Sequence, residues 1–278
     1  MKKIIFKTMF VAISSILVLT SCLGDDDTVY TATNQFVYVT AASTGQKYAV
    51  ADIYGAVKIT SDDFNNNPNI GLGDCAFVDY KIKSNEKSNG IYNAEYIRIY
   101  DKKIFKSRDN VIPLEQAFDT TMIAKKDSLK DGMMPFTSIR MGYPELLYSP
   151  SNDWGDRWFF TFSYYARTDD DTKPELIVSY DKNKQYNSDL TPLAKGLRVI
   201  DFQLKPRSNG TATGDYKEVL QSVVINMSEF REWMEDSKDE NEQVRFIFRY
   251  YKDYRTDTRI RLNMDITNNY FTYAYMNK

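Results

Sequence analysis

No histidine occurs among the 278 residues, and only two cysteines do, Cys22 and Cys75. The first absence removes whole classes of chemistry. Without imidazole no Ser-His-Asp or Cys-His nucleophile can be assembled, and no histidine-ligated metal site can form. A histidine pH switch is excluded as well. So few cysteines exclude a disulfide framework. Surplus positive charge is also missing: 36 basic and 38 acidic side chains leave a net of −2, which is no footprint for nucleic acid. A long apolar run is absent too. The uncharged stretch after Lys7, "TMFVAISSILVLT", holds 13 residues, against about 20 for a membrane-spanning helix.

That stretch, preceded by Lys2, Lys3 and Lys7, has the basic-then-apolar order of a secretory signal. It ends in Leu19-Thr20-Ser21-Cys22, which resembles the bacterial lipobox. On that reading residues 1–21 are a lipoprotein signal peptide and Cys22 is the lipidation site. Acyl chains there would anchor the chain to a membrane, each buried methylene contributing about 0.8 kcal/mol. Residues 22–29 form an acidic tether. Its Asp25, Asp26 and Asp27 resemble the export signal of Bacteroidetes lipoproteins shown on the outer face of the outer membrane. The expected location is therefore the outer membrane, lipid-anchored and exposed at the cell surface.

What is abundant is aromatic: 21 Tyr, 16 Phe and 3 Trp, a composition that favours strands. Residues 29–105 read as short β segments, "NQFVYVT", "KYAVADIYGAVKIT", "CAFVDYKI" and "AEYIRIY", joined by turn-rich stretches such as "SDDFNNNPNIGLGD" and "SNEKSNG". The second segment reads as a strand pair, or as one long bent strand with Gly55 at a bulge or corner. From residue 136 eight more strand-like segments follow, ending in "YFTYAYM". The reading is all-β: a small N-terminal OB-like barrel over 30–112, then an antiparallel β-sandwich over 113–278 with one short helix. The spacing predicts that helix at "MSEFREWMEDS", where Ser228 can cap it and Phe230, Trp233 and Met234 share a face.

The quoted segments, with Cys22-Leu23, Asp25-Asp26-Asp27 and "GDCAFVDYKI", then "RWFFTFSYYA", "ELIVSYD" and "VRFIFRYYKDY", together resemble the NigD-like lipoproteins of Bacteroidetes. The family pattern has arginine where this chain has Cys75. The resemblance implies an OB-like domain followed by a sandwich, and no enzyme activity.

Several residues suggest sites. In "SNDWGDRWFF", Trp154 and Trp158 flank acids and an arginine, a composition suited to stacking a sugar ring. Near the C-terminus, Arg245, Arg249, Arg259 and Arg261 fall on one face of two strands by the period of two. If those strands pair, like charges lie across the ladder and need an anion or internal compensation. The preceding acidic stretch, 229–242, is the nearest source of that compensation. "TDDDTKPE" and "SDDF" lack the alternating spacing of a calcium loop, so neither metal nor cofactor is expected. The reading is a non-enzymatic binding or interaction module, with a glycan or surface protein as partner. A glycan-binding accessory protein for polysaccharide uptake is the alternative, and a hydrolase with paired carboxylates stands third.

Overall fold

The computed structural model describes residues 28–51, 57–108, 111–113, 115–116, 132–143, 147–148, 156–169, 172–182, 192–193, 197–207, 213–229, 243–253, 260–264 and 271–274. Among the described residues the fold is all-β with one complete short helix, in three sheets.

The first sheet contains β1 (Val29–Ala41), β2 (Lys47–Ala51), β3 (Val57–Thr60), β4 (Cys75–Lys83), β5 (Lys87–Ser88), β6 (Ile91–Asn93) and β7 (Tyr96–Phe105). Their order is β5-β6-β3-β2-β1-β4-β7. "KYAVADIYGAVKIT" is thus an antiparallel pair, β2 and β3, and Gly55 lies outside the described residues. Asn89 and Gly90 both have positive φ, 49° and 81°. That is the geometry of a two-residue hairpin turn, and Asn-Gly suits it best. Edge strands β5 and β7 do not pair, so among the described residues this sheet is not closed into a barrel.

Helix α1 (Asp62–Asn66) follows β3. It lies where turn formers led us to expect a loop. Ser61 caps it by accepting the Phe64 N–H at 3.2 Å, two aspartates fill its first turn, and Phe64 is buried. Cap, dipole and apolar anchor together suffice for one turn. At the expected helix Met227, Ser228 and Glu229 are described, and the last two are helical. Asn226 accepts the Ser228 N–H at 3.2 Å, and the N–H groups that Ser228 would cap lie outside the described residues. Residues 230–242 lie outside the described residues.

The second and third sheets face each other. The second orders β10 (Ser138–Tyr143), β12 (Arg157–Arg167), β15 (Tyr216–Asn226) and β8 (Val111–Pro113). The third orders β11 (Leu147–Tyr148), β18 (Phe271–Ala274), β16 (Gln243–Asp253), β14 (Leu197–Lys205), β13 (Glu175–Tyr180) and β9 (Glu115–Gln116), with β17 (Ile260–Met264) also on β16. All eight strands expected after residue 136 are present. Within the sandwich β14 and β16 run parallel, so the third sheet is mixed. The core lies between these sheets: Trp158, Phe160, Phe162 and Tyr164 of β12 meet Val178, Phe202 and Phe248. Sheet membership changes between β7 and β8, since Val111–Pro113 pairs with β15.

Strand β12 is buried on both faces near its start. Phe159 points away from the sandwich core into Phe36, Phe77 and Phe105 of the first sheet, with ring centroids 5.6, 5.0 and 5.6 Å away. Gly142 of β10 makes room for it, because a Cβ there would stand 2.6 Å from the Phe159 ring. The β10–β12 register shifts at this point, between Met141 and Tyr143.

Candidate functional site

Of the ligand-binding residues that sequence reasoning grouped, the side chains of Trp158 and Arg249 are described, and both are buried. Trp158 is 1% exposed and belongs to the sandwich core. It is no sugar platform: β12 alternates, and this position faces the opposing sheet. Trp154, Cys22, Asp25, Asp26, Asp27 and Arg259 lie outside the described residues, as do the side chains of Arg245 and Arg261.

Arg249 departs most from expectation. It is 3% exposed, not part of an open cationic face. Its Nη2 donates to Asp201 Oδ2 at 2.7 Å, and its Nε donates to Oδ1 of the same carboxylate. The period of two placed Arg249 opposite Phe248 correctly, but both faces of β16 are buried here: Ile247, Phe248, Tyr250 and Tyr251 are core as well. The compensating charge comes from the neighbouring parallel strand, where Asp201 is the register partner of Arg249. Burial pushes the Asp201 carboxyl up from its ordinary range, the Arg249 hydrogen bonds pull it down, and buried Asp181 pushes it up again.

Cys75 is a free, fully buried thiol. It is the register partner of Tyr38, in the cluster that receives Phe159. Burial pushes the thiol well above its usual range, which keeps it protonated and unreactive. Thiol reagents should therefore label the native protein slowly at pH 7 and at pH 9, and rapidly after unfolding. Fast native labelling would contradict the buried placement. The preceding Asp74 is structural too. Its carboxylate accepts the Gly71 and Ser107 N–H groups, each at 2.8 Å, and pairs with Lys106 at 3.0 Å. It thereby ties the turn before β4 to the end of β7.

Two clusters of polar side chains face outward. The first is a double irregularity in the first sheet. β1 shifts register at Asn34, whose φ is +52°, and β4–β7 shift register beside Phe77. Asp79 accepts the Asn34 N–H at 2.8 Å and the Tyr100 hydroxyl at 2.8–2.9 Å, while Lys103 donates to Asn34 Oδ1 at 2.6 Å. The hydrogen bond to Asp79 pushes the Tyr100 hydroxyl up. Its members satisfy one another, as a fixed bulge requires.

The second cluster is the outward face of β12 and β15, away from the sandwich core. Register places Phe159 opposite Val224, then Ser163 opposite Leu220, Tyr165 opposite Glu218 and Arg167 opposite Tyr216. Directly opposed residues share a face. One end is buried under the first sheet through Phe159 and Val224. The other end is open: Tyr216 is 57% exposed and Leu220 63%. The Arg167 guanidinium lies 4.5 Å from the Tyr216 ring centroid and donates to the Gly214 carbonyl at 2.9 Å. Thr137 donates to the exposed Glu218 carboxylate at 2.5 Å and also bonds the Ser163 hydroxyl, which meets Ser138 at 2.7 Å. This open face combines one exposed ring, an exposed leucine and a chain of hydroxyls ending in a carboxylate, and is the candidate site. Sequence reasoning passed over it. The available signal was "YKEVLQSV", where Val219 and Leu220 are adjacent and apolar, so that one of them must face outward.

No family model and no curated protein sequence matches the chain. Solved structures do. A Parabacteroides merdae protein of unknown role is 15% identical, with TM-score 0.55, over 83% of this chain and 93% of its own. A candidate lipoprotein from Bacteroides fragilis is 9% identical, with TM-score 0.50, over 90% of this chain and 100% of its own. At these identities the likeness concerns the fold alone, shared over 83% and 90% of this chain.

Proposed function

We propose that the chain is a lipid-anchored protein of the outer membrane, displayed at the cell surface, that works by binding rather than catalysis. The observation that carries this reading is the order of the N-terminal residues: basic start, short apolar run, Ser21-Cys22, then Asp25-Asp26-Asp27. Two further facts support it. The NigD-like resemblance and the Bacteroides fragilis structure both belong to lipoproteins by description. The first strand begins at Val29, so only the seven Cα–Cα steps from Cys22 to Val29 link the fold to the cysteine. They reach at most about 25 Å, which would hold the folded body close to the membrane surface.

Growth with a clickable fatty-acid analogue should label the wild-type protein and leave Cys22→Ala unlabelled. Protease added to intact cells should digest it. Protection on intact cells with digestion only after lysis would place it on the inner leaflet and remove the surface assignment. Absence of label would remove the anchor.

A further inference from the structure

The open end of the β12–β15 face has features that a partner-free surface does not need. Among the described residues, exposed large apolar side chains are few, and two of them, Tyr216 and Leu220, stand on the same face of one strand. Four residue steps along the strand separate them, about 13 Å, with Glu218 between. Beside that line, Thr137 and Ser163 connect the carboxylate to a buried hydroxyl chain. Arg167 stacks on Tyr216 and is held by the Gly214 carbonyl, which orders the ring before any ligand arrives. The loop that carries Gly214 is fixed in turn: Asp169 accepts the Thr213 N–H at 2.7 Å, and that bond pulls its carboxyl below the usual range.

We infer that this face binds a neutral oligosaccharide laid along β15, with a sugar ring stacked on the face of Tyr216 turned away from Arg167 and ligand hydroxyls bonded to Glu218. The chemistry selects this class. A pyranose has one apolar face for an aromatic ring and a rim of hydroxyls that donate to a carboxylate. A carboxylate at the middle of the face repels an anionic chain. Arg167 is already committed to the tyrosine and a carbonyl. An order set by packed rings and prior hydrogen bonds limits the entropy lost on binding. The inference rests on the reading of the chain as a binding module and names the ligand class for it.

The test uses the full chain in detergent micelles and affinity electrophoresis through gels containing soluble xyloglucan, glucomannan or dextran, with polygalacturonate as the anionic control. At least one neutral polysaccharide should retard the protein. Tyr216→Ala and Glu218→Gln should each weaken retardation about tenfold or more with an unchanged melting temperature, and Tyr216→Phe should retain it. No retardation by any neutral polysaccharide, retardation by polygalacturonate alone, or equal retardation of both variants would overturn the inference. So would a concentration-dependent dimer dissolved by Leu220→Glu, which would give the face to a second copy. An anchored protein that binds no polysaccharide removes this inference alone. Polysaccharide retention without lipid labelling removes the anchor alone.

Discussion

Arg249→Ala should lower the unfolding free energy by about 3–5 kcal/mol, since it strands a buried carboxylate without its counter-charge. Asp201 is 6% exposed and receives two hydrogen bonds from the guanidinium. Asp201→Ala should cost a similar amount for the mirror reason, leaving the cation buried. The double variant Asp201→Leu/Arg249→Met should recover most of the loss or exceed the wild type, because an apolar pair of similar volume escapes the desolvation cost. Urea denaturation at constant slope measures all three. Added salt should change the single-variant deficits little, as water does not reach the pair. A deficit below about 1 kcal/mol for Arg249→Ala would be the value of an exposed pair and would contradict this geometry.

Phe159→Ala should be comparably severe and different in kind. Removing a buried phenyl ring costs about 3–5 kcal/mol, but this ring touches three phenylalanines of the first sheet rather than the sandwich core. The first sheet should then unfold at lower denaturant than the sandwich, splitting one transition into two. Phe160→Ala, one residue along and facing the core, should lower stability with a single transition. Two superimposable curves would show that Phe159 does not couple the parts.

Much of the architecture was legible from the alternation of strand residues, because burial of one face imprints a period of two. Each of the eight later segments, from "FTSIRMG" to "YFTYAYM", contains a strand. The reading failed where both faces are covered. In "VRFIFRYY" alternation assigned Arg249 to one side correctly. It did not reveal that this side is interior, since the covering Asp201 comes from a strand 48 residues away. Trp158 misled for the same reason: the residues just before it in sequence, Asp156 and Arg157, are polar, while its neighbours in space are apolar. Helix α1 is five residues long, too short for periodicity, and its cap reads equally well as a turn. The open face was hidden because its members come from β12, β15 and the approach to β10. Only the register of those strands brings Tyr165, Glu218 and Thr137 together.

The parallel pairing of β14 with β16 bears on how the chain reaches this state. Between those neighbours the polypeptide leaves the third sheet, contributes β15 to the second and returns. Leu197 thus meets Arg245 only after a loop of almost fifty residues has closed, and closure entropy comes due before any contact rewards it. Assembly of this sheet is therefore expected to be the slow step, in the range of milliseconds to seconds typical of non-local β topologies. Until it is complete, β16 presents Phe246, Phe248 and Tyr250 on an unpaired strand, the kind of segment that associates with other chains. A chain secreted before folding would pass through that interval outside the cytoplasm, so its yield there would depend on how quickly this one crossover closes.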